Sequence, residues 1–240
     1  MLINIIALIV SYIPAAALFF YLKGLKKDDE AYQKNCLKLL GKGVLSSVGV
    51  TLVSGLISLA WHLTGMDKIS PLLTAAFKCF VVYAFAEELV KFLNANKTVR
   101  ENQATVSWLD VMAYMSIVAI GFHIIESLLY FFSTNTIEIL VRGITAGHPT
   151  YGLLMGYFMG KAGYTGQKKY RVLGLSAPIM LHGLYDFGLA EEFIALNDNL
   201  IFFVFIILLI TICLFFRMIF FIRKVRHEEK YTAPLSRQQN

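Results

Sequence analysis

Charge is scarce in this chain: Asp, Glu, Lys and Arg make up 16% of its 240 residues, against 57% hydrophobic. That excludes an ordinary soluble domain, in which about a quarter of residues are charged. Cysteine is nearly absent as well. Cys36, Cys79 and Cys213 lie far apart with no CxxC pair, so no disulfide framework is expected. There is no Ser-His-Asp or Gly-x-Ser-x-Gly arrangement, no HExxH, and no Walker or dinucleotide glycine pattern. The net charge of +6 is not a nucleic-acid footprint, because the basic residues sit in short loops between apolar runs. The first apolar segment has neither a basic leader nor a small-residue cleavage site, so it reads as a retained span and not as a signal peptide.

What the chain has in quantity is apolar length, with a mean hydropathy of +0.63. A span needs about 20 mostly apolar residues, and about seven segments meet that: 2–22, 43–63, 71–96, 108–132, 137–160, 172–190 and 200–222. The expected fold is therefore an all-α, polytopic transmembrane helix bundle. The fifth segment is rich in glycine and is broken at Gly147-His148-Pro149, where Pro149 removes a backbone donor, so an eighth, re-entrant piece is left open. Residues 71–78 are expected to form an interfacial piece with Lys78 snorkelling, the span itself starting near Cys79. Residues 1–225 then form the membrane-embedded domain and 226–240 a polar cytoplasmic tail, expected to be disordered. Lys and Arg crowd the first, third and fifth loops and the tail. The alternate loops hold Lys68 and the acidic Glu191, Glu192 and Asp198. By the positive-inside rule the N-terminus is outside and the C-terminus in the cytoplasm.

Against that background the ionisable residues inside apolar segments stand out. Each costs about 2.5 to 3.5 kcal/mol at the bilayer centre, so a set of five or six adds up to roughly 10 kcal/mol unless the groups meet and act. Glu87-Glu88-x-x-Lys91 puts Glu87 and Lys91 on one helix face, with Glu88 about 100° away. Two adjacent carboxylates with separated proton affinities suit general acid–base work, although a Glu–Lys cap at a helix end would look the same. Phe122-x-x-x-Glu126 carries His123 between, either facing a cavity with Glu126 or turned to lipid. Arg142 is either a carboxylate partner or a snorkelling cation. His148 at the broken fifth segment could line a watered pocket. Gly152, Gly156 and Gly160 form a small-residue stripe for close helix packing. His182 and Asp186 are four apart, so the carboxylate can fix the imidazole tautomer and leave the other nitrogen for substrate, water or metal. By helical rise, Glu87, Glu88, Glu126, His148, His182 and Asp186 fall in one layer in the outer half of the membrane.

The order Glu87-Glu88-x-x-Lys91, Phe122-x-x-x-Glu126, His148, His182-x-x-x-Asp186 resembles the PrsW family of intramembrane proteases, distant relatives of the CAAX-processing endopeptidases. The resemblance spans roughly the central half of the chain. It implies an intramembrane endopeptidase of the bacterial plasma membrane. The implied substrate is a membrane-anchored protein, such as an anti-sigma factor cut on its extracytoplasmic side. The implied catalytic set is Glu87, Glu88, Lys91, Glu126, His148, His182 and Asp186. The CAAX endopeptidases carry His where Glu126 stands, which leaves two mechanisms. In one, Glu87 or Glu88 is general base to a water without metal; this is the reading adopted from sequence. In the other, Glu126, His148 and His182 hold Zn2+. A transporter with a proton relay and a catalytically silent membrane interaction or immunity protein are the rival functions.

Overall fold

The computed structural model describes residues 2–133, 136–195 and 201–238, and among them it is helical throughout. The helices are α1 (Leu2–Lys23), α2 (Glu30–Leu63), α3 (Pro71–Phe77), α4 (Ala86–Glu101), α5 (Trp108–Ser133), α6 (Thr136–Ile144), α7 (Gly147–Thr165), α8 (Lys168–Gly188), α9 (Glu191–Ile194), α10 (Ile201–Val225) and α11 (Glu229–Thr232). Four of them, α1, α2, α5 and α10, are long and apolar enough to cross a membrane. Of the helices that carry most of the polar groups, α4 has only 16 residues, and α7 and α8 are not among the four. Asp198 and Leu200 lie outside the described residues.

Local signals explain the boundaries. Asp29 caps α2, its carboxylate accepting from the Tyr32 amide at 2.9 Å. Ser70 caps α3, with Pro71 at the first helical position, where no backbone donor is needed. Gly166 closes α7 with φ +68, a conformation that favours glycine. With 34 residues, α2 is about 50 Å long, well beyond a hydrocarbon core of about 30 Å. Its first turns therefore extend out of the apolar layer and carry Lys34, Lys38 and Lys42 as helix, not as loop.

Three expectations need correction. Residues 71–78 are not a separate interfacial piece. α3 runs without a break through a π-helical stretch, Lys78–Phe85, into α4. The fifth segment is two helices, and the break falls at Thr145 and Ala146, not at Pro149. Ala146 takes φ +46, and Pro149 sits in the first turn of α7, where the missing N–H would have been unpaired anyway. Finally, the tail is ordered to Gln238. The Tyr231 ring lies 4.8 Å from that of Trp108, and the Leu235 amide donates to the Val106 carbonyl at 3.0 Å. One tyrosine, Tyr231, and one leucine, Leu235, gave this polar stretch something to bury in part.

The core forms around α5, whose residues 108–123 are all buried. Glycines set the crossings. A Cβ at Gly156 would lie 2.4 Å from the Met112 Cα, and one at Gly152 2.7 Å from the Ser116 Cα, so α5 and α7 touch backbone to backbone. The expected glycine stripe is therefore a packing face. α2 crosses α5 in the same way at Gly43 and Gly121. At Gly183 a Cβ would meet the Phe80 ring at 2.3 Å, which draws α8 onto the π stretch.

Candidate active site

Four helices bring their ionisable side chains to one place. The first turn of α4 supplies Glu87 and Glu88, both buried, with Lys91 one turn on. The π stretch just before them matters here, since wide turns of this kind break helical phase and recur at functional sites. Lys91 reaches both carboxylates, but the tight contact is to Glu88 Oε1 at 2.7 Å; Glu87 Oε2 is 3.5 Å away. The i,i+4 pairing read from sequence is thus the looser of the two. Lys91 also lies 4.5 Å over the Phe122 ring, a cation–π contact in a dry setting.

The two histidines face each other, ring centroids 4.9 Å apart. Each has a carboxylate behind it. Glu126 from α5 hydrogen-bonds His148 Nε2. Glu88 Oε1 lies 3.1 Å from His182 Nδ1. The forward nitrogens, His148 Nδ1 and His182 Nε2, both lie 3.9 Å from Glu87 Oε2. Asp186 approaches His182 Nε2 at 3.2 Å, and Arg142 reaches Asp186 at 3.5 Å while lying over the Tyr130 ring at 4.1 Å. So the expected His182–Asp186 pair forms, but the second ring nitrogen faces Glu88. Of the two readings left open for Arg142, the carboxylate partner holds. His123 is buried and not lipid-facing; its ring nitrogens lie 3.3 Å from the Ser127 hydroxyl.

All seven residues singled out from sequence therefore share one site. It adjoins a cavity of about 480 Å³ whose wall includes Glu87, Glu126, Arg142 and Asp186. A smaller void of about 20 Å³ lies deeper, lined by Glu126, Arg142, His148, His182 and Asp186 among others. That is room for a single water with several polar partners.

With this geometry in view, comparison with known proteins is decisive. A family profile described as PrsW family intramembrane metalloprotease matches residues 34–213. The chain belongs to the PrsW family. A Protease PrsW from Shouchella clausii (strain KSM-K16) is 32% identical over 120 residues, covering 48% of this chain and 56% of its own length. Another from Clostridioides difficile (strain 630) is 32% identical over 124 residues, 48% of this chain and 52% of its own. A Protease PrsW from Geobacillus kaustophilus (strain HTA426) is 26% identical over 185 residues, 75% of this chain and 77% of its own. The match thus spans about half the length of the first two PrsW relatives. No solved structure matches.

The description of PrsW proteins as metalloproteases makes the donor set worth testing. Glu87, His148 and His182 each offer one ligand atom, all within 4.8 Å of one another. Zinc binds nitrogen and oxygen at about 2.0 to 2.2 Å, so two ligands on one ion stand at most about 4.2 Å apart. The two 3.9 Å separations lie inside that linear limit but exceed the roughly 3.4 Å of a tetrahedral site, and Lys91 Nζ lies 3.0 Å from His148 Nδ1, so an ion would draw the three groups inward and displace the ammonium. Glu88 Oε2 is buried with no hydrogen-bond partner among the described residues. The residues fit the group, with one change from the sequence reading. Glu87 joins the histidines, while Glu126 sits on the rear nitrogen of His148. Tyr151 and Cys79 line or adjoin the site without any signal in sequence spacing that would have placed them there.

Proposed function

We propose that the protein is an intramembrane peptidase that hydrolyses a membrane-anchored protein near the outer face of the membrane. The observation that carries this reading is the pair of histidines whose forward nitrogens flank one carboxylate, Glu87, on the wall of a cavity inside a helical bundle. Family membership supports the reaction class.

In this reading Glu87, His148 and His182 would hold Zn2+, which would supply a Lewis acid and an acidified water. Glu126 accepts from His148 Nε2 and Glu88 from His182 Nδ1, which would leave for the ion His148 Nδ1, here 3.0 Å from Lys91 Nζ, and His182 Nε2, here 3.2 Å from Asp186. Lys91 compensates the charge on Glu87 and Glu88, so that two adjacent carboxylates persist away from water. Asp186 orients His182 from the side, and Arg142 holds Asp186. The small void would place a water among Glu126, His148, His182 and Asp186. The lysine distribution supports an outside N-terminus, a multi-pass topology in a bacterial plasma membrane and a site in the outer half. An anti-sigma factor is the substrate that the family resemblance implies.

The test is purification in detergent, metal analysis, and cleavage of single-span reporter proteins in liposomes, with fragments mapped by mass spectrometry. Wild type should bind about one zinc per chain and cut; Glu87→Gln and His182→Ala should do neither. Cleavage that survives both substitutions would overturn the proposal.

A further inference from the structure

The end of α2 nearest α3 is packed unlike the rest of the bundle. From Thr51 to Leu63 it buries no side chain. Leu45, Val48, Leu52, Leu56, Leu59 and Leu63 form an exposed row at helical spacing, as a lipid-facing stripe does. About 100° round the helix runs a second row, Ser47, Thr51, Ser54 and Ser58. Hydroxyl rows of this kind serve contact between helices in lipid, yet no described residue is packed against this one firmly enough to bury it.

The opening has a defined shape. α2 and α5 are pinned backbone to backbone at Gly43 and Gly121. Beyond the pin the two helices are separated by the 480 Å³ cavity, whose wall takes Ser47, Val50 and Thr51 from α2 and Phe122, Glu126 and Leu129 from α5. Thr51 is exposed and Leu129 is 61% exposed, so the cavity reaches the lipid-facing surface between them. Trp61, stacked on Phe77 at 3.9 Å, ties the far end of α2 to α3, so the wedge has a hinge below and a tether above.

We propose that this wedge between α2 and α5 is a lateral entrance for the transmembrane helix of the substrate, whose unwound outer end passes Ser47 and Thr51 to reach Glu87. The proposal rests on the peptidase reading above. The chemistry selects an extended peptide. The Ser47 hydroxyl donates to the Val44 carbonyl at 2.9 Å, and that of Thr51 to the Ser47 carbonyl at 2.9 Å. Their oxygens remain as acceptors for the backbone N–H groups that an unwound strand would otherwise leave unpaired in lipid. A soluble protein has no access from this side, whereas a single-span protein arrives by diffusion in the bilayer.

The test uses the full chain in phosphatidylethanolamine–phosphatidylglycerol liposomes with p-benzoylphenylalanine at Thr51, Leu129 or, as a lipid-facing control on α10, Leu209. The probe is a biotinylated 20-residue Leu–Ala transmembrane peptide with a polar outer extension. Labelling at Thr51 and Leu129 at least about fivefold above Leu209 is expected; equal labelling at all three overturns the proposal. A second arm keeps it separate from the peptidase reading. For any bond that wild type cuts, Thr51→Trp and Leu129→Trp should slow cleavage of the anchored protein at least about tenfold and leave a soluble peptide with the same bond nearly unaffected. Equal effects on both substrates overturn the entrance. No cleavage by wild type of either substrate, with selective labelling intact, overturns the peptidase reading and leaves the entrance standing.

Discussion

The two halves of α5 meet opposite demands. From Trp108 to His123 every residue is buried, mostly against glycine-lined neighbours and a dense aromatic and methionine core. From Ile124 to Phe132 the same helix borders a cavity, carries Glu126 and exposes Leu128, Leu129 and Phe132. One half is held mainly by shape, which specifies position finely, with the Lys26–Asp110 ion pair at 2.6 Å near its start and the Ser116 hydroxyl donating to the Pro149 carbonyl at 2.9 Å. The other is held by charge, with two cations and four carboxylates arranged about two histidines. The difference teaches that the polar site is a consequence of the apolar frame: four helices can deliver ions to one point only because their other ends are locked by close contact.

If that division is right, substitutions in the two halves should separate stability from activity. The largest effect is expected for Glu87→Gln, which should lower cleavage about a thousandfold while leaving the thermal transition in detergent near that of wild type. A variant that unfolds would put Glu87 in the frame and not in the chemistry. Gly156→Leu should do the reverse. Its side chain meets the Met112 backbone, so stability should fall by about 3 kcal/mol or more, read as loss of a monodisperse elution peak. A stable, inactive Gly156→Leu would erase the contrast. Next comes Glu126→Gln, which keeps shape but weakens the hold on His148. Zinc affinity should drop about 10- to 100-fold by competition with a chelator, and an unchanged affinity would remove Glu126 from its assigned place. Tyr231→Ala loses the contact of the tail with Trp108 and should cost about 1 to 2 kcal/mol with cleavage intact. The smallest effect lies outside both halves, in the turn after α2. A hydrogen bond from His62 holds the Asp67 carboxyl below its usual range. A lowered value means the contribution is present at neutral pH and fades as pH falls below about 4. Asp67→Asn should flatten that part of the stability profile.

Much of this was legible in the chain. Glu87, Glu88, Lys91, Glu126, His148, His182 and Asp186 each interrupt an apolar run, and in a membrane such interruptions are too costly to be scattered. The glycine stripe on α7 was readable for a similar reason, since four-residue spacing leaves little else for it to do. Other features depend on three-dimensional detail that spacing does not carry. Helical geometry alone paired Lys91 with Glu87, but side-chain reach across the first turn of α4 favours Glu88. Which carboxylate completes the histidine pair depends on how α4 and α5 are rotated, and that let Glu126 stand in for Glu87. The break at Ala146 falls beside the residues whose composition advertised it. The tail looked disordered because its few apolar side chains find partners on helices remote in sequence, as Tyr231 does on Trp108, besides the neighbouring Phe221.

The π-helical stretch from Lys78 to Phe85 has a genetic implication. A wide turn is what an α-helix makes when it absorbs one surplus residue, and one residue is worth about 100° of rotation. Deleting a single codon here, say that of Val81, would let the helix relax to regular winding. Glu87 and Glu88 would then keep facing the histidines with Phe77 still on Trp61, whereas regular winding without the deletion would turn both carboxylates by about 100° and swing them away. The wide turn thus sets the carboxylate pair about 100° from where unbroken winding of the same sequence would put it.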